Sequence, residues 1–146
     1  MSDSDLIKLY SKQILNLAAA IPHLGTLDAP DGEAKARSPL CGSSVSVGLT
    51  QTDGAVTGFA QSVKACALGQ ASAAILGNQV IGLDRATLQR GRDQLNDMLT
   101  KQGPVPTAPF ERYEVLQPAR EFTNRHASIL LPFDATLAAI DAADRA

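Results

Sequence analysis

SVSVGLTQTDGAVTGFAQSVKACALGQASAAIL, residues 44–76, changes its hydrophobic period part-way along, and that change decides the fold. Val45, Val47 and Leu49 alternate with Ser44, Ser46 and Gly48, the period-2 signature of a strand with one buried face. Thr52-Asp53-Gly54 supplies hairpin-turn chemistry, because glycine tolerates positive φ. Residues 55–65 return as one or two further strands, with Gly58 as a break or bulge. These strands predict a three-stranded antiparallel sheet. Beyond Cys66 the period becomes helical: Leu68, Ser72, Ile75 and Leu76 share one face, and Gly77-Asn78 ends the helix.

Upstream, residues 4–19 read as an amphipathic helix with Leu6, Tyr10, Ile14 and Leu17 on one face and Lys8, Lys12 and Asn16 on another. Ile21-Pro22 ends it, since the residue before proline is pushed out of the helical region. Residues 22–43, rich in proline and glycine, predict a long, mostly irregular arm across the surface. Downstream, Asp84 is an N-cap for a helix carrying Leu88, Leu95 and Leu99, which stops at Gly103-Pro104. Residues 104–109 form a stiff surface loop, and 110–122 hold one or two short helices. Leu130, Phe133, Leu137 and Ile140 stripe the last helix. Pro132 lies inside it and cannot donate to the Ser128 carbonyl, so this helix is expected to kink there or to begin late. The expected fold is α+β: a three-stranded antiparallel sheet packed by about five helices, one domain over 1–146.

The totals fit that reading. A chain of 146 residues is near the commonest size of one domain, and 45% hydrophobic with 19% charged residues is an ordinary globular balance. A net charge of −2 with no basic block disfavours a nucleic-acid or anionic-membrane surface. No apolar stretch approaches the roughly 20 residues that span a bilayer. The start, MSDSDLIKLYSKQ, has no basic segment followed by an apolar run, so the expected location is cytoplasmic. The two cysteines, Cys41 and Cys66, are then expected as thiols rather than a structural disulfide.

Cys66 falls where strand period gives way to helix period. On its own it reads first as a small buried hydrophobe, the usual fate of a free cysteine. The helix dipole offers the second reading: it favours thiolate, the form that binds metal or accepts sulfur. Cys41 sits in Ser38-Pro39-Leu40-Cys41-Gly42-Ser43, a tight loop between proline and glycine, where a functional thiol fits better than a structural one. Two cysteines alone are too few for zinc or iron, which take four ligands. His126, near the start of the last helix, is either a third ligand or a solvated histidine beside Arg125. His23 reads as a turn residue, and Asp31, Glu33, Asp53 and Asp84 as loop and cap residues. No Ser-His-Asp order, glycine-rich phosphate loop or paired carboxylates support a hydrolase or nucleotide enzyme.

Taken in order, four segments resemble the iron–sulfur cluster scaffold family of the IscU/SufU/NifU N-terminal-domain type. Pro22-His23-Leu24-Gly25 resembles its Pro-Arg-Asn-x-Gly turn, and Ser38 to Ser43 its Asn-Pro-x-Cys-Gly-Asp loop. Phe59 to Ser72 (FAQSVKACALGQAS) resembles the stretch around its second cysteine, and Arg125 to Pro132 (RHASILLP) the segment around its third. The resemblance runs from about Tyr10 to Ile140. It implies three cysteines converging at one end of the sheet, sulfur supplied by a cysteine desulfurase, and transient [2Fe–2S] assembly. Cys41 and Cys66 match the first two cysteines. Ser128 stands where the third would be, and Ser43 where the family has an aspartate. Two of four ligand positions are therefore hydroxyls, poor ligands for iron or zinc, with His126 a candidate substitute.

Three readings follow. The first is a non-enzymatic scaffold that holds iron and sulfide, or a transient [2Fe–2S] cluster, through Cys41 and Cys66, with zinc as another cargo. A homodimer would bring four thiolates together, and the partners would be the desulfurase and cluster-accepting proteins. The second is a metal-free paralogue that acts by protein–protein contact. The third is a thiol redox switch between Cys41 and Cys66, which requires their Cα atoms within about 7 Å.

Overall fold

The structure, a computed structural model, describes residues 11–39 and 42–145. Strands β1 (Gly32–Arg37), β2 (Ser44–Thr52) and β3 (Ala55–Lys64) form one antiparallel sheet in the order β1-β2-β3. Asp53 and Gly54 both have positive φ, 53° and 81°, the requirement of a type I′ hairpin, and they join β2 to β3 in two residues. Thr50 pairs with Gly58 but Gln51 pairs with Val56, so Thr57 is the extra residue of a bulge beside Gly58. A Cβ on Gly58 would stand 2.6 Å from Thr50 Oγ1, which is why the bulge needs glycine there.

Val45, Val47 and Leu49 are buried on the inner face of β2, and Val56 and Phe59 on β3. The helices are α1 (Lys12–Ala18), α2 (Ala67–Gln79), α3 (Arg85–Thr100), a 3-10 helix (Glu111–Glu121) and α4 (His126–Arg145); α4 and α2 meet the sheet, and α1, α3 and the 3-10 helix pack on other helices. These are the five helices expected, apart from a short 3-10 turn at Thr123–Arg125. Helix α4 lies over β1 and β2, with α2 and α3 beside it. Phe110, Tyr113 and Phe133 meet as an aromatic cluster with centroids 5.1–6.3 Å apart. Pairs of this kind contribute about 1 kcal/mol each beyond area burial. Gly91 lets α3 approach: a Cβ there would stand 2.5 Å from the Phe110 ring. Asp84 caps α3 as expected, its carboxylate accepting from Thr87 N at 2.8 Å. No described helix is long and apolar enough to cross a membrane.

Three expectations need correction. Residues 22–43 are not irregular throughout, because Gly32–Arg37 is the third strand of the sheet, and Ala55–Lys64 is a single strand, the first of the two alternatives. The last helix does not begin late: it starts at His126 and passes through Pro132. A proline that deep loses one backbone hydrogen bond, and Thr136 Oγ1 donates to the Pro132 carbonyl at 2.7 Å in the following turn. The first helix is not continuous over 4–19: its described part is Lys12–Ala18, N-capped by the extended residue Ser11, and its expected part over residues 4–10 lies outside the described residues.

Candidate functional site

Three breaks in regular structure meet at one end of the sheet. The loop between β1 and β2 is closed at its base, where Ser38 N donates to Ser43 O at 2.9 Å and Gly42 N donates to Ser38 O at 3.0 Å. Gly42 has φ 69°, a conformation that favours glycine. Cys66 is the N-cap of α2, at the junction from β3. Ser128 lies in the first turn of α4.

Their side chains touch. Ser43 Oγ and Ser128 Oγ are 3.1 Å apart, and Cys66 Sγ is 3.7 Å from Ser128 Oγ. Ser128 is fully buried and Ser43 nearly so, whereas Cys66 is half-buried. Thus the two positions that depart from the family pattern are hydrogen-bonded to each other, and the Ser128 hydroxyl also reaches the sulfur. Gly69 makes the approach feasible: a Cβ there would stand 2.6 Å from Ser128 Oγ and 2.7 Å from Ala65 Cβ. One residue along, Ser72 Oγ donates to Ile129 O at 2.6 Å, and Tyr113 Oη donates to Ser72 O at 2.8 Å. Burial pushes the Tyr113 hydroxyl well above the ordinary phenol range, so it stays a neutral donor that pins the 3-10 helix to α2, while Ser72 Oγ ties α2 to α4.

The Cys66 thiol sits below its ordinary value. Burial, the largest influence, pushes it up. Hydrogen bonding from Gly69 N–H, the Ser128 hydroxyl, the Arg125 side chain and Leu68 N–H together outweighs burial. Cys66 is therefore nucleophilic nearer neutral pH than an ordinary cysteine. The sign for stability follows from the depressed value: the contribution is full above the ordinary 9.0 and is lost as pH falls through the folded-state value. In a Cys41→Ser background, Ser128→Ala should slow alkylation of Cys66 by iodoacetamide several-fold at pH 7 and shift its pH profile upward. An unchanged profile would show that the hydroxyl does not stabilise the thiolate.

His126 is tied elsewhere. Its Nε2 is 2.9 Å from Ala119 O of the 3-10 helix, and the residue is only 7% exposed. At 3.6 residues per turn, His126 and Ser128 project about 200° apart. Among the described residues no group of three or more His, Cys, Asp or Glu could hold a metal ion. Cys41 lies outside the described residues, between Pro39 and Gly42 of the loop just described. His23 is an exposed turn residue at φ 60°, its ring edge-on to Phe59. Arg125 and Gly69 also belong to the site, though neither carries a signal of its own in the sequence; both lie inside the quoted segments, Arg125 immediately before the last helix and Gly69 one turn after Cys66.

No protein-family profile matches the chain, and no curated protein matches it. Solved structures do. The chain is similar to a nitrogen-fixing NifU-like protein (N-terminal) from Brucella abortus, with 41% identity and a TM-score of 0.93 over 97% of this chain and 98% of that one. It also has the fold of a putative iron–sulfur cluster assembly scaffold protein for the SUF system from Fervidobacterium islandicum AW-1. There the identity is 16% and the TM-score 0.80, over 92% of this chain and 98% of the other.

Proposed function

We propose, from the premise that this chain belongs to the NifU-like N-terminal-domain family of the IscU/SufU/NifU type, that it serves iron–sulfur cluster assembly as a scaffold and not as an enzyme. Its cargo is iron and sulfide, or a transient [2Fe–2S] cluster, taken on Cys66 and Cys41. One observation supports this above the rest. The residue at the second-cysteine position is a thiol biased toward thiolate, in contact with the third-cysteine position and, through it, with the aspartate position. Cys41 is next to Gly42 and two residues from Ser43 in the sequence.

The chemistry needs only the thiolates. A thiolate can attack the outer sulfur of a persulfide, take it over, and release the donor's thiolate. The donor class is a cysteine desulfurase, and the recipients are cluster-accepting proteins. Held iron would be bound by the same sulfur atoms.

The Ser43–Ser128 pair favours a second reading as well. Two hydroxyls hydrogen-bonded to each other are weak, neutral ligands, as a metal-free partner protein of the assembly machinery would have them. Iron and acid-labile sulfide analysis of protein reconstituted without oxygen separates the two. The scaffold reading expects bound iron and sulfide, with at least a tenfold loss in Cys66→Ser and in Cys41→Ser. Colourless wild-type protein that is still captured by a desulfurase column would instead establish the second reading.

A further inference from the structure

We propose that the outer edge of β1 is a self-recognition surface, on which a second copy of this chain pairs antiparallel to form a continuous six-stranded sheet. Strand β1 is an edge, and among the described residues no backbone pairs with its outer side. Such a row of unpaired amide and carbonyl groups is a template for another strand.

The sequence of this edge is its own electrostatic complement. Asp31, Glu33, Lys35 and Arg37 are exposed and alternate with Gly32, Ala34 and Ala36. The small residues turn inward, Ala34 opposite Val47 and Ala36 opposite Val45, so Glu33, Lys35 and Arg37 share the outer face, and Asp31, just before the strand, is exposed with its carboxylate accepting from Gln51 N at 2.9 Å. On β2 the neighbours of Glu33, Lys35 and Arg37 are Gly48, Ser46 and Ser44, which carry no charge. None of the ion pairs among the described residues uses these charges. An antiparallel pairing centred on Ala34 sets Glu33 against the partner's Lys35 and Asp31 against the partner's Arg37, each twice. Opposed pairs of opposite charge stabilise a sheet, whereas like pairs destabilise it. A parallel alignment would set like against like at every position. A register centred on Lys35 would set the two lysines together. Charges on an edge can also simply keep other chains away, but repulsion asks for one sign, and two acids followed by two bases do not supply it.

The rest of the fold accommodates the pairing. Helix α4 lies over β1 and β2, so the two copies of α4 would run side by side about two strand spacings apart, near 10 Å, a distance at which helices pack. The loops after Arg37 would leave the joined sheet at opposite ends, about 20 Å apart by strand rise alone. This dimer therefore keeps one thiol site per subunit and does not pool four thiolates at one cluster, and its existence does not depend on what the site carries.

Sedimentation equilibrium on the full chain, without metal, tests it. Wild type should dimerise in the micromolar range, with salt weakening the dimer. Glu33→Lys and Lys35→Glu should each raise the dissociation constant at least tenfold, since each places like charges opposite one another. An equimolar mixture of the two variants should form a heterodimer, and the double variant E33K/K35E should dimerise like wild type. Both side chains are exposed, and circular dichroism of each variant checks its folding. A wild type that stays monomeric to millimolar concentration overturns the proposal. So does a dimer indifferent to both single changes, which would place the contact on another face, or a mixture that fails to associate.

Discussion

Gly32→Ala is expected to destabilise the fold by about 3 kcal/mol or more, at the upper end of what overpacking costs. A Cβ on Gly32 would meet the backbone carbonyl oxygen of Ala139, the backbone nitrogen of Ala143 at 2.6 Å and the Ala143 Cβ at 2.9 Å. Two of these three are main-chain atoms of α4, so no side-chain rotation relieves the contact. Either β1 leaves the sheet or α4 lifts from it, and Gly32, Ala34 and Ala36 then lose the helix that covers them. The loss extends to the site, because β1 leads into the 38–43 loop and α4 carries Ser128. Urea unfolding should show a lower midpoint for Gly32→Ala. Gly48→Ala is the control: its Cβ would find Pro30 and Glu33 side-chain atoms only at 3.6 Å and beyond. Equal midpoints for wild type and Gly32→Ala would mean that β1 and α4 are not in the close contact described.

The same contact explains why β1 is hard to read from sequence while β2 and β3 are plain. Strand β2 faces the thick part of the core and presents Val45, Val47 and Leu49, so period 2 is written in large side chains. Strand β1 faces α4 at such short range that Gly32 has no room for a Cβ, and its other inward residues are the small Ala34 and Ala36. Its alternation is therefore written as Gly-Glu-Ala-Lys-Ala-Arg, in residues that favour helix or loop. Tertiary packing overrides local preference there. Helix α4 carries the opposite lesson. Pro132 locally argues for a late start, but burial of Ile129, Leu130, Leu131 and Phe133 outweighs one missing hydrogen bond. At the site, the position of Cys66 at the head of α2 was legible, because a change of period marks a helix start. The meeting of Ser43 with Ser128 was not. The residues are 85 positions apart, and serine has no preference for a core that would reveal a buried pair. Only the alignment of segments pointed to them. Arg125 was hidden for a related reason, since an arginine before a helix reads as a solvated charge until the fold brings a sulfur beside it.

Ser128→Cys is expected to lengthen the lifetime of a reconstituted cluster at least tenfold, making it the substitution with the largest gain. Thiolates about 2.3 Å from one metal in tetrahedral array lie about 3.7 to 3.8 Å apart. Cys66 Sγ and Ser128 Oγ are already 3.7 Å apart, so a sulfur at position 128 would stand at ligand spacing from Cys66 without moving the backbone. Gly69 leaves the space, having no Cβ beneath that atom. Thiolate also replaces a neutral hydroxyl as donor, and soft metals prefer it. Adding Ser43→Asp should behave differently with and without metal. A carboxylate in that buried place, near a sulfur biased toward thiolate, costs stability until a cation offsets it. The double variant should therefore unfold at lower urea than Ser128→Cys when free of metal, and the difference should shrink or reverse when metal is bound. Following the visible absorption after addition of a chelator gives the lifetimes, and urea unfolding with and without zinc gives the linkage. A Ser128→Cys protein that bleaches as fast as wild type would mean that position 128 does not face the cargo. The hydroxyl pair would then be part of the packing at this end of the sheet, and Cys66 would work without Ser128.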